Sequence, residues 1–248
     1  MKRNMILGLG LLIAALLLVS CDTDSNNRNC ISGEGSIVTR EITLDNFSGI
    51  DIQGVTNVEI SQGETFKIIA IGHSNIIDRV STEVADDIWQ VYVKGNCLSN
   101  YELKFKVTMP NLSTVIVSGV GNFKVYDFKN QGDLALDISG TGNIEIDQFQ
   151  GSENLDVNIS GSGSVFCFEN WDELVNQEVN ISGSGSFLAF PLQTQNSEIT
   201  ISSTGTCQIS VEKSLKVSLS GSGSVQYKGS PSHVETSISG SGVVQPVN

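Results

Sequence analysis

The chain has 248 residues, of which 17% are charged and 6% aromatic, with 25 glycines and only four prolines; this is the composition of a folded chain with many tight turns, not of a helix-rich enzyme or a disordered polymer. Lys and Arg number 14 against 27 Asp and Glu, and removal of Lys2 and Arg3 with an export signal leaves 12 against 27, a net charge of −15. Such a surface repels phosphate backbones and anionic lipid, which excludes nucleic-acid binding.

Residues 1–20 carry a basic start at Lys2 and Arg3, an apolar stretch from Met5 to Val19 and then Ser20, the pattern of a signal peptide. The stretch is shorter than the ~20 residues a membrane-spanning helix needs. Leu18-Val19-Ser20-Cys21 resembles the lipobox of bacterial lipoproteins, which implies that Cys21 becomes the N-terminus and carries lipid; ordinary cleavage near Ser20 is the alternative. Acyl chains at ~0.8 kcal/mol per buried methylene hold a protein on a membrane without help from its surface charge. Residues 21–35 are polar, lack an apolar period and read as a tether with a reach of about 20 Å. The expected address is the cell envelope, on the outer membrane. Asp22 directly after the lipidated Cys resembles an inner-membrane retention signal of proteobacteria, while acidic residues there resemble a surface-export signal of Bacteroidetes, so the membrane and its face stay open.

Residues 36–112 alternate like strands but irregularly. Ile50 and Ile52, then Val58 and Ile60, flank Gln53-Gly54-Val55-Thr56-Asn57, a degenerate copy of a phrase that recurs further on; Ile68 to Ile71, Trp89 to Val93 and Leu103 to Val107 are further strands. This half is expected to form the opening coils, and the cap, of a repeat array that occupies residues 113–248.

The phrase is apolar-Ser-Gly-x-Gly-small-apolar. It appears seven times, with its serine position at 118, 139, 160, 182, 202, 220 and 239, so the spacings are 21, 21, 22, 20, 18 and 19. Alternation on both sides fixes the inward side chains. Leu134, Leu136 and Ile138 lead to Ile144 and Ile146, Val157 and Ile159 lead to Val165 and Cys167, and later copies repeat the scheme. Parallel strands ~20 residues apart need a crossover, right-handed in ~98% of cases. No helical period separates the copies, so the crossover is itself strand and turn. The predicted fold is all-β: a right-handed parallel β-helix, or β-solenoid, with coils of about 20 residues; a sandwich of hairpins is the alternative. The second glycine, present in all seven copies, is expected to take positive φ at the turn. The serine before it is expected to bond a neighbouring rung's backbone. The short end after Val243 leaves an exposed edge on which another protomer could stack.

The repeated S-G-x-G-N phrase, the opening FSGIDIQGVTNVEI, the MPNL before the first full copy and the lipobox together resemble the head GIN domain family of autotransporter-adhesin-like proteins. The resemblance covers residues 36–248. It implies a β-helical bacterial envelope domain of undefined activity and brings no catalytic residues. Nothing after Ile238 resembles the translocator barrel of an autotransporter, so the adhesin role is a weak inheritance.

Other chemistry has little footing. His73 and His233 lie in different halves without ligands at metal spacing. The glycine phrases lack the third Gly and the Lys of a phosphate loop, and the Asp that a calcium-binding β-roll requires in each copy is missing. No cofactor is expected. Cys167 and Cys207 fall on inward columns two coils apart, beyond disulfide reach, as buried thiols. Cys30 and Cys97 either bridge in an oxidising compartment, pinning the tether to the first half, or stay free. Asp127, Asp147 and Glu169 stand at neighbouring rung positions where a glycosidase would hold an acid and a base, so a polysaccharide lyase or hydrolase is the alternative function. Against it, no Arg follows Leu112, and the lysines at 124, 129, 213, 216 and 228 do not gather beside those acids.

The reading that remains is a lipid-anchored, non-enzymatic envelope protein whose rigid surface meets a protein or glycan. The outward column after the turn runs Lys124, Glu145, Phe166, Leu188, Gln208 and Gln226, with Lys124 and Glu145 placed to pair. Phe166 and Leu188 form an apolar patch there, a docking spot unless the loop Asn170-Trp171-Asp172-Glu173 covers it, and covering is the expected case.

Overall fold

The computed structural model describes residues 30–172 and 174–247. The signal segment 1–20, Cys21, residues 22–29 of the tether, Glu173 and Asn248 lie outside the described residues.

The strands before each phrase pair in parallel from coil to coil. They run Thr114–Val117, Leu134–Ile138, Asn154–Ile159 and Asn176–Ile181, then through the later parts of Ser186–Ile201 and Thr206–Leu219 to His233–Ile238. Those after the phrase form a second parallel face, from Phe123–Val125 through Ile144–Ile146 and Ser164–Cys167 to Ser224–Lys228 and Val243–Pro246. The molecule is a parallel β-solenoid.

Period-two alternation sends Leu136, Val157, Val179, Ile199 and Val217 inward from the first face, and Phe123, Ile144, Val165, Phe187, Cys207 and Val225 inward from the second, all buried. A third inward column closes the coil. Phe128, Phe149 and Trp171 pack at centroid distances of 5.9 and 5.4 Å. Each apolar residue is thus covered by its counterpart above and below, which makes one continuous core from repeats that have none alone.

The phrase glycines correct the expectation of positive φ. The described glycines in that region are Gly35, Gly95, Gly151 and Gly229, none of them in a phrase. What the phrase requires is close approach of backbones. A Cβ on Gly142 or Gly163 would lie 1.8 Å from the carbonyl oxygen of the glycine one coil back, and one on Gly140 or Gly161 would lie 1.9 or 2.0 Å from such an oxygen. The serine ladder is also differently made. The amides of Ser139, Ser160, Ser182 and Ser220 donate to the preceding coil's carbonyls, while the hydroxyl does so only at Ser239, at 3.5 Å.

Residues 36–112 join the same stack but not in chain order. Gly49–Ile52 and Asn57–Gln62 pair in parallel with Thr114–Val117 and Phe123–Val125 on one side. On the other side they pair with Ile88–Val91 and Leu103–Met109, so the chain lays its second coil outside its first and then returns to build the repeats. The registers match Gly54 to Gly119 and Thr56 to Gly121, as a degenerate phrase copy requires. Beyond the outer coil the geometry turns antiparallel. Lys67–His73 pairs with Leu103–Met109, and Ile37–Ile42 pairs with Lys67–His73. Arg40 on that last strand bonds Asp78 and the Ser74 hydroxyl at the helix Ser74–Ile77. Antiparallel, charged and helix-contacted, this end is guarded against further stacking.

Cys30 and Cys97 form a disulfide with Cα atoms 4.6 Å apart, beside a short parallel pairing of Ile31–Ser32 with Leu98–Ser99. Cys167 and Cys207 are buried free thiols, and burial pushes both far above the usual thiol range. At the other end His233–Ile238 is exposed along its whole length, with Val234 and Ile238 open to solvent.

Candidate functional site

Successive strands of the second face are held in register, and this builds the candidate site. Lys124, Glu145, Phe166, Leu188, Gln208 and Gln226 stand opposite one another across six coils. Along a strand, alternate residues share a face. Phe168 therefore stands beside Phe166, and Phe190 beside Leu188. The Phe166 and Phe168 rings are parallel within 6°, with centroids 6.2 Å apart. Phe168 is 48% exposed, and Phe166, Leu188 and Phe190 are half-buried. The site is an apolar square two residues wide and two coils deep. The reading from sequence named half of it; Phe168 and Phe190 were legible by the same alternation carried two residues further.

The border of the square is polar. On the preceding coil Glu145 and Asp147 lie 3.7 and 3.9 Å from the Lys124 ammonium, which also lies 5.2 Å from the Tyr126 ring centroid. On the following coils Gln208 donates to Gln226 at 2.9 Å, and the Lys228 ammonium lies 4.9 Å from the Phe190 ring centroid. The loop expected to cover the patch is placed otherwise. Trp171 is buried against Phe149, and Asn170 and Asp172 bond Gln150 at the coil corner. The large apolar Trp171 goes to the core because the third inward column offers it an aromatic neighbour.

The three acids of the glycosidase alternative do not share a column. A parallel bridge between Phe128 and Phe149 sets Asp127 level with Gln148, whereas the Phe168 amide donating to Ile146 sets Asp147 level with Phe168. The lysines do gather beside two of them, contrary to expectation. Lys129 lies 3.5 Å from Asp127, and Lys124 lies beside Asp147. The long Lys124 side chain reaches across to the next rung, while Lys129 stands two residues from Asp127 in the same coil. His73 accepts the Glu102 amide through Nδ1 at 3.2 Å, and His233 is exposed. Among the described residues no three His, Cys, Asp or Glu side chains are grouped to hold a metal.

Two polar ladders on the first face were missed. Asp133, Asn154, Asn176 and Asn196 bond in series, with side-chain links of 3.0, 2.9 and 3.0 Å. Beside them Asp156, Glu178, Glu198, Lys216 and Glu235 stand in register, with Lys216 bonded to Glu198 at 2.6 Å. Desolvation, then Glu178 and Asp133, raise the pKa of Asp156. A phrase search keyed to glycine passes over both.

A parallel solenoid with stacked S-G-x-G corners defines a class of β-repeat scaffold. Within that class the chain belongs to the family described as "Putative auto-transporter adhesin, head GIN domain", whose model matches residues 46–231. The chain is similar to the crystal structure of a "putative adhesin" from Bacteroides fragilis, at 23% identity and a TM-score of 0.78, covering 88% of this chain and 100% of that one. It is similar to a "putative lipid binding protein" from Parabacteroides distasonis, at 25% identity and a TM-score of 0.71, covering 88% and 99%. It also resembles a "putative adhesin" from Parabacteroides merdae, at 22% identity and a TM-score of 0.65, again over 88% and 99%. A search of curated proteins finds no match.

Proposed function

We propose that this protein is anchored by lipid on Cys21 to the outer membrane of a bacterial envelope and acts there by binding, not by catalysis, with the Phe166 and Leu188 face as its docking surface. The lipobox at Cys21, the head GIN membership and neighbours named as adhesins or a lipid-binding protein support the reading. The observation that carries it is the apolar square itself. On a chain with 27 acidic and 14 basic residues, four apolar side chains, one of them 48% exposed, stand together on one face of the solenoid.

The test is attachment of purified protein to isolated envelope fractions. Double replacement of Phe166 and Leu188 by Ala is expected to reduce attachment at least tenfold while the circular dichroism spectrum is retained. Unchanged attachment rejects the surface. Independently, Cys21→Ser is expected to move the expressed protein from the membrane pellet to the soluble fraction, and protease shaving of intact cells decides which face it occupies.

A further inference from the structure

The dimensions and border of the apolar square select its ligand. A fully buried aromatic side chain removes 150–250 Å² from water, so one Phe at 48% exposure and three half-buried neighbours offer roughly 300 Å² at most. A stable protein partner needs about 800 Å² on each side. The square is too small to anchor a protein and suits one or two sugar rings. A pyranose has an apolar C–H face and a rim of hydroxyls. Aromatic faces carry negative quadrupole potential and attract polarised C–H groups. The border supplies what the rim needs. The bond from Gln208 Nε2 to Gln226 Oε1 leaves Gln208 Oε1 as an acceptor and Gln226 Nε2 as a donor, and Glu145 and Asp147 add carboxylate acceptors on the opposite side.

Charge decides the kind of sugar. Lys124 is already shared by Glu145 and Asp147, and Lys228 lies over the Phe190 ring. The protein as a whole is strongly acidic, so a polyuronate would meet repulsion. We infer that the face formed by Phe166, Phe168, Leu188 and Phe190 binds a neutral glycan, with one sugar ring stacked on Phe168 and the hydroxyls of rings further along the glycan, over the following coils, held by Gln208 and Gln226. The inference rests on the docking role proposed for this face and names its ligand class.

The mature full-length protein, purified in detergent, is titrated calorimetrically with maltohexaose, laminarihexaose, mannohexaose and chitohexaose, and with hexagalacturonate as the anionic control. At least one neutral hexasaccharide is expected to bind, and hexagalacturonate at least tenfold more weakly. Phe168→Ala should weaken the neutral sugar tenfold or more, with an unchanged melting temperature because the ring is half exposed. Phe168→Trp should keep affinity within threefold. Failure of all four neutral sugars, equal or tighter binding of hexagalacturonate, or indifference to Phe168→Ala overturns the inference. If attachment to envelope fractions still depends on Phe166 and Leu188 while every neutral sugar fails, the glycan falls and the docking surface stands. If that attachment is also indifferent to Phe166 and Leu188, both fall.

Discussion

At the scale of single residues, the phrase glycines are selected by space. A left-handed turn and a close backbone approach both demand glycine, so the sequence alone cannot separate the two causes. The fifth copy held a clue, since Ser203 stands where the first glycine stands elsewhere. A Cβ on the same copy's Gly205 meets Ile181 Cγ2 first, at 2.4 Å, with the Gly185 carbonyl at 2.9 Å, so the coils part slightly there. In the earlier coils they do not. Gly163→Ala is expected to destabilise the protein by about 1–3 kcal/mol, the ordinary cost of overpacking. Gly132 has nothing within 4 Å of its position, and Gly132→Ala should stay within about 0.5 kcal/mol of the parent. Equal midpoints in urea for the two variants would contradict the spatial account. Cys167 and Cys207 give a second residue-scale test. Buried, with pKa values pushed far up, they should not react with a thiol reagent in the native protein and should both react on unfolding, provided the Cys30–Cys97 bridge is intact.

At the scale of elements, strand faces carry electrostatic as well as apolar columns. Asp156 stands opposite Glu178 in the parallel register, and like charges directly opposed cost about 0.2–1 kcal/mol. Because the folded-state pKa of Asp156 lies above its unfolded value, the folded protein takes up the proton more readily. The cost is therefore full above the folded pKa and is relieved as pH falls through it toward the unfolded value. Asp156→Asn should raise the melting temperature at pH 7 by about 1–3 °C and by clearly less near pH 4, where the carboxyl is partly protonated. A rise of equal size at both would assign the effect to something other than charge. The inward columns were legible because alternation of period two, repeated at 18 to 22 residues, leaves one consistent face for burial. Asn154, Asn176 and Asn196 recur at 22 and 20, so the amide ladder was equally periodic but lay outside the glycine phrase. The route of the first half was not legible. Nothing in Trp89-Gln90-Val91 states that it pairs outside Ile50-Asp51-Ile52, because a strand's hydrophobic pattern fixes its face and not its neighbour.

At the scale of the whole molecule, the two ends differ, and the disulfide fixes Cys30 on the side of the guarded one. With Cys30 bound to Cys97 beside the pairing of Ile31–Ser32 with Leu98–Ser99, the anchoring proposal implies that the antiparallel end faces the membrane. The bridge spans 67 residues of sequence, for which the chain-entropy model gives about 4 kcal/mol. A solenoid does not share such a gain evenly, because each coil contacts only its neighbours. Removal of the bridge by Cys30→Ser with Cys97→Ser should therefore act locally. The strands Ile37–Ile42 and Lys67–His73, the last of the antiparallel end, should lose amide-exchange protection by at least tenfold, while Asn154–Ile159 and Asn176–Ile181 keep theirs. Uniform loss along the stack would mean that the molecule opens as one cooperative unit and that the bridge stabilises the repeats themselves. Loss confined to the antiparallel strands would mark it as a clamp on the end nearest the anchor, where any pull transmitted through the tether enters the fold.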